Sequence, residues 1–261
     1  MISTFLHADD PIVFGTIFAL YALSAVMIHR LCFDRRTRAF MASFSGVVAP
    51  FFMVALTMFA LTAAFLGASV WSNFQSNSDA VKKESVAIAS YIAYVDAFPD
   101  LKKEGLHDLA RAYAGSVVEV EWPLTAQSKD SPDTDRLFSQ MLHRTVAVIS
   151  QLESPSPALY TLTRAIEAVT AARLTRLSLV HQDVDSARWL CTFILGLLAQ
   201  FGIAIVHLGN RRTNALALAL SLGTASISVM LAFIALAVST HQGVVSISKS
   251  PFEQILVMPK Y

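Results

Sequence analysis

The residues able to do chemistry are few and scattered. His181, Asp183 and Asp185 alternate just ahead of an apolar run. An imidazole and two carboxylates can hold a cation, and repeated around an oligomer axis they make a charged ring at a pore mouth. Their spacing fits no metal-ligand motif, so the plainer reading is a solvated segment beside a membrane. Glu119 and Glu121 flank Val120, and on a helix they point to different faces, which argues against a paired-carboxylate acid–base site. There is no glycine-rich phosphate loop, zinc-ligand helix or nucleophile elbow. Cys32 and Cys191 lie in or beside apolar runs, as small hydrophobes rather than a disulfide or metal pair. No catalytic residue, bound metal or cofactor is expected, and the sequence reads as a non-enzyme.

A second pattern is apolar. Phe52, Phe59 and Leu66 recur at seven-residue intervals with Leu56 and Ala63 between them, along one side of a helix. In an oligomer such a face can be a constriction that gates by dewetting. The alternative is ordinary helix packing or lipid contact. Trp71 and Asn73 follow the run and join His181, Asp183 and Asp185 as pore-mouth candidates.

The elements that carry these residues follow from composition. The chain of 261 residues is 54% hydrophobic and 15% charged, against about 25% charged in a soluble protein. No charged residue lies between Arg38 and Asp79, between Arg188 and Arg211, or between Arg212 and Lys249. A helix needs about 20 apolar residues to cross the hydrocarbon core. Residues 11–28, 44–70, 189–208 and 213–238 meet that need. The expected fold is an all-α membrane protein with four transmembrane helices and a helical bundle inserted between the second and third. Its parts are a first hairpin over residues 1–71, an insert over 72–188, and a second hairpin with a tail over 189–261. The first run has no preceding Lys or Arg and no small-residue cleavage site after it, so it reads as a retained span rather than a signal peptide. In the fourth, Ala219 with Gly223 and Ser221 with Ala225 stand four apart, a spacing that lets helices approach closely in lipid. The bilayer is therefore one partner. A net charge of +1 with no basic stripe gives no reason to expect nucleic acid.

The hinge after the first span carries Arg30, Arg35, Arg36 and Arg38, and the hinge after the third carries Arg211 and Arg212. The positive-inside rule puts both in the cytoplasm, with the insert and both termini outside. No Asp, Glu, Lys or Arg lies inside any span, which weighs against proton relays and coupled transport and leaves a passive channel open.

Within the insert, Ala80, Val81, Glu84, Ala87, Ile88, Tyr91 and Val95 share one helical face, continuing the second span. A second stripe, Leu106, Leu109, Ala110, Tyr113 and Val117, ends near Trp122 and Pro123. Residues 125–135 are polar and read as a loop. Leu137, Met141, Leu142, Thr145, Val148, Ile149 and Leu152 line the next helix. A last stripe from Leu159 to Val180 is expected to run unbroken into the third span.

These stretches resemble the bestrophin-like family of mostly bacterial membrane proteins. The matching residues are 59–71, then Val81 and Glu84 onward, Tyr113 to the Glu121-Trp122-Pro123 turn, Ala172-Arg173-Leu174, and Ser250-Pro251-Phe252-Glu253. Members are distantly similar to bestrophins, which are oligomeric anion channels with an aromatic and aliphatic neck on the second span. The resemblance implies a homo-oligomer in the bacterial inner membrane that conducts small inorganic ions, with span two lining the pore. The family commonly carries charge just after the tryptophan, where this chain has Ser72, Asn73 and Phe74. Bestrophins also keep the insert in the cytoplasm, opposite to the charge count. The other function consistent with the residues is a non-conducting scaffold or sensor whose helical domain binds a partner.

Overall fold

Helix is the only regular structure among the described residues. In lipid no water is available to pair exposed backbone groups, so a spanning segment must satisfy them internally. The structure is a computed structural model and describes residues 10–44, 49–98, 101, 105–126, 129–152, 156–180, 185–208, 213–238 and 246–258. In chain order the helices are α1 (Asp10–Phe33), α2 (Arg38–Ala42), α3 (Ala49–Ala97) and α4 (Leu106–Ser116). A π-helical turn, Val117–Glu121, leads into α5 (Trp122–Thr125). Then come α6 (Pro132–Gln151), α7 (Pro157–Val180), α8 (Ser186–Leu208), α9 (Thr213–Leu236) and α10 (Ser250–Val257). The chain divides into two compact units, Met1–Ser72 with Asp183–Ser239, and Asn73–Gln182 with Thr240–Tyr261.

The first unit holds the apolar spans. Among the described residues, four helices are long and apolar enough to cross a membrane, over Pro11–Phe33, Met53–Ala97, Ser186–His207 and Thr213–Leu236. The interior of the unit is drawn from all four: Val13, Ile17 and Tyr21; Phe59, Ala63 and Leu66; Trp189 and Ala199; Ile227, Leu231 and Ile234. Leu23, Phe65, Leu218 and Phe233 are exposed, as befits side chains that meet lipid rather than water.

Polar bonds fix how three of these helices meet. The Gln200 amide, fully buried in α8, donates to the Tyr21 carbonyl at 3.1 Å and to Thr224 Oγ1 at 2.8 Å. The Tyr21 hydroxyl donates to the Phe193 carbonyl at 3.1 Å. Each such bond in lipid contributes about 0.6 kcal/mol, and their main effect is to set register. The close approach of the Tyr21 ring depends on Gly196, where an added Cβ would stand 3.0 Å from Tyr21 Cζ. The small residues of α9 divide between its faces. Gly223 lies against Ile203, where a Cβ would come 2.7 Å from Cδ1, whereas Ser221 and Ala225 are exposed.

The second unit is a bundle of the carboxy-terminal part of α3 with α4, α6, α7 and α10. Val81, Ile88, Tyr91 and Val95 of α3 pack with Leu106, Ala110 and Tyr113 of α4, Met141 and Val148 of α6, and Leu162, Ile166 and Val169 of α7. Phe252 and Ile255 of α10 complete this core.

Two expectations are corrected. The polar stretch 125–135 is not loop throughout, because α6 begins at Pro132. Ser131 caps it by accepting from the Thr134 N–H at 3.4 Å, Pro132 stands at the first helical position, and Asp133 and Asp135 lie in the first turn. Those are the ingredients of a helix start, and their polarity hides it. The unbroken helix expected through Trp189 is described as two, α7 and α8. Asp185 lies outside helix and accepts the Arg188 N–H at 3.2 Å, the work of a helix cap.

Gly196→Ala is expected to destabilise the membrane unit by about 1–3 kcal/mol, through collision with a ring held by its own hydrogen bond. Gly15→Ala, with nothing within 4 Å, is expected to be neutral or slightly stabilising. Thermal unfolding of both variants in detergent micelles checks the contrast.

Candidate functional site

The apolar stripes of the second unit carry charged residues in register with them. Glu84 shares the inward face of α3 with Val81, Ile88 and Tyr91, so burial of the stripe buries the carboxylate. Arg173 and Arg176 continue the buried face of α7 beyond Leu162, Ile166 and Val169. Tyr113 lies on the inner face of α4. Glu121 follows it by eight residues, which on a continuous α-helix would leave it about a fifth of a turn around from Tyr113. The wider π-helical turn reduces that drift and holds Glu121 inward, while Glu119 is exposed.

These side chains meet in one network. Exposure is 0% for Glu84, 1% for Arg176, 2% for Glu121 and 3% for Arg173. Arg176 Nε donates to Glu84 Oε2, and the Tyr113 hydroxyl donates to Glu84 Oε1. Arg173 Nη1 donates to the Tyr113 oxygen at 2.6 Å, and its Nη2 donates to Glu121 Oε2 at 3.0 Å and to Asp135 Oδ1 at 2.5 Å. Arg176 Nη2 lies against Glu121 Oε1 as an ion pair without hydrogen-bond angles. The Tyr113 and Phe138 rings each lie 5.2 Å from the Arg173 guanidinium carbon, and Phe252 of α10 lies 5.8 Å from that of Arg176. In the dry interior two cations thus balance two anions, with Asp135 at the half-exposed rim.

Burial alone would lower both guanidinium pKa values. Their partners outweigh it, the Tyr113 oxygen with Glu121 and Asp135 around Arg173, and Glu84 and Glu121 around Arg176, so both are held charged above the ordinary range. Burial, and then the Glu84 charge, push the Tyr113 phenol well above its ordinary value. The cavity beside Glu121, Thr125, Ser131, Asp135 and Arg173 measures about 20 Å³. That is room for about one water, not a substrate. The network is therefore suited to holding α3, α4, α6, α7 and α10 together.

The residues singled out by sequence are placed differently from one another. Phe59, Ala63 and Leu66 are buried against the chain's own α1, α8 and α9, while Leu56 is exposed. The Phe52 side chain lies outside the described residues. Val54, Met58, Leu61 and Phe65, spaced four, three and four apart, form an uncovered face of α3. Trp71 and Asn73 are exposed. Asp185 ion-pairs with Arg188 at 2.8 Å, and His181 and Asp183 lie outside the described residues. Sequence reasoning missed Glu121, Arg173 and Arg176 as members of a site and treated Glu84 as a stripe position. The available signal was a charge at an apolar register position, since such residues are rarely fully buried unless paired.

Arg176→Met leaves Glu84 without a cation, Glu121 keeping Arg173, and a loss of about 3–5 kcal/mol is expected. Adding Glu84→Gln should restore part of it, so the double variant loses less than the sum of the singles in thermal unfolding. Tyr113 gives a pH signature. Its folded pKa lies above the unfolded value near 10, so its contribution is full below that pH and is lost as pH rises through the folded value. Tyr113→Phe is expected to lower stability by about 1–3 kcal/mol at neutral pH and to flatten the alkaline decline measured from about pH 9 to 11.

No curated protein matches the sequence. The crystal structure of a membrane protein, a single-substitution variant, is similar in fold, with a TM-score of 0.69 and 10% identity, over 93% of this chain and 96% of that one. The family model described as the bestrophin-like domain matches residues 16–252. The stretches that carry the sequence resemblance supply Glu84, Tyr113, Glu121, Arg173 and Phe252, all of which meet at the buried network. With the family pattern running through most of its length, the chain belongs to the bestrophin-like family, whose members are membrane proteins of channel type.

Proposed function

We propose that the protein is a homo-oligomeric passive channel for small inorganic anions, with span two lining the pore. Family membership carries this reading. The uncovered face of α3 supports it, because Val54, Met58, Leu61 and Phe65 remain free in one chain to line an axis shared with other copies. Phe59, Ala63 and Leu66 then act from behind, packing the pore helix against its own chain, and Leu56 is exposed on the side away from Val54, Met58, Leu61 and Phe65. Trp71, Asn73 and Asp185 are candidates for the mouth. Residues 11–28, 44–70, 189–208 and 213–238 hold no Asp, Glu, Lys or Arg to couple transport to a proton or ion gradient. The arginine-bearing hinges favour the cytoplasm, and the bacterial inner membrane is the proposed location, with the helical insert outside.

Purified protein in planar bilayers under a chloride gradient should give currents that reverse at the chloride potential. Phe65→Ala should alter unitary conductance, because a ring of phenylalanines is the widest apolar barrier on that face. Silent bilayers from a verified oligomer would sink the channel reading in favour of a non-conducting scaffold or sensor.

A further inference from the structure

The last turns of α1 form a groove of about 740 Å³, lined by Leu23, Val26, Met27, His29, Arg30 and Asp34 among others. We propose that it is a binding site for one phosphatidylethanolamine, with an acyl chain along Leu23, Val26 and Met27, the phosphate on Arg30 and the ammonium on Asp34. The inference is independent of conduction.

Depth in the bilayer is the first argument. Residues 11–28 contain no charged residue and Arg30 is the first to follow them. Its guanidinium therefore emerges where hydrocarbon gives way to headgroups. The second is the apolar wall. Leu23, Val26 and Met27 are 71%, 49% and 57% exposed and lie on one side of the helix, a surface that the chain leaves to lipid tails. The third is the order of charge. Arg30 has no ion-pair partner among the described residues. Asp34 stands one turn beyond it, with its N–H on the Arg30 carbonyl, about 6 Å farther along the axis. Cation then anion, counted outward from the apolar wall, matches phosphate then ammonium. A carboxylate at that place disfavours a headgroup of net negative charge, and it rewards one that donates hydrogen bonds. His29, also on the groove, has a buried Nε2 with no partner among the described residues, so rotation of its ring would give the phosphodiester a second contact.

The test is native mass spectrometry of the delipidated full-length protein, titrated with dioleoyl phosphatidylethanolamine, phosphatidylglycerol or phosphatidylcholine. The expected result is one phosphatidylethanolamine retained per chain, about tenfold more tightly than phosphatidylcholine, whose quaternary ammonium cannot donate to Asp34. Arg30→Gln should weaken it by about tenfold. Asp34→Asn should remove the preference over phosphatidylcholine. Arg36→Gln, exposed and off the groove, should change nothing. Equal binding of phosphatidylcholine, tighter binding of phosphatidylglycerol, wild-type retention by Arg30→Gln, or displacement by millimolar inorganic phosphate would each overturn the proposal. Both substituted side chains are exposed, so unchanged thermal unfolding is the accompanying check on the fold.

Discussion

Two guanidinium groups and two carboxylates sit almost without water inside the helical unit, and the arrangement of its helices turns on keeping them paired. Each ion costs several kcal/mol to dehydrate, so none is tolerable alone. Glu84 comes from α3, Tyr113 and Glu121 from α4 and the π-helical turn, Arg173 and Arg176 from α7. A shift of any one helix by a turn would strand a charge. Apolar side chains can repack after such a slip, whereas this network cannot. The π-helical turn is part of the same constraint, since it turns Glu121 toward the guanidinium groups and leaves Glu119 in solvent.

The membrane unit meets the opposite constraint. Charge is absent from its spans, and tails of lipid are as apolar as leucine, so burial alone does not choose one helix arrangement. Close packing at Gly196 and Gly223 and the bonds of Gln200 and Tyr21 make that choice. The face of α3 that its own chain leaves uncovered is the one the proposed channel would use to line its axis.

Much of the plan was legible because lipid imposes a strong pattern. Runs of apolar residues bounded by arginines fix the spans, and helical spacing fixed the stripes of the insert. Boundaries were less legible where a helix opens on polar residues. Ser131-Pro132-Asp133 looks like loop by composition and starts a helix by chemistry, and Asp185 caps a helix within a stretch that lacks Gly or Pro. The candidate site was less legible still. Glu84 was visible on its stripe, but a stripe does not say which helix carries the matching cation.

The sequence by itself determined the four candidate spans, helix as the regular structure of the described residues, and the family, because hydropathy and period are properties of neighbouring residues. Only the tertiary structure decided that Glu84 and Arg176, ninety-two residues apart, form a pair. It also decided that α10 brings Phe252 to the same place, and that Phe59 turns into its own chain while Phe65 turns out. Those outcomes depend on which faces meet across long separations, and no local pattern holds that information.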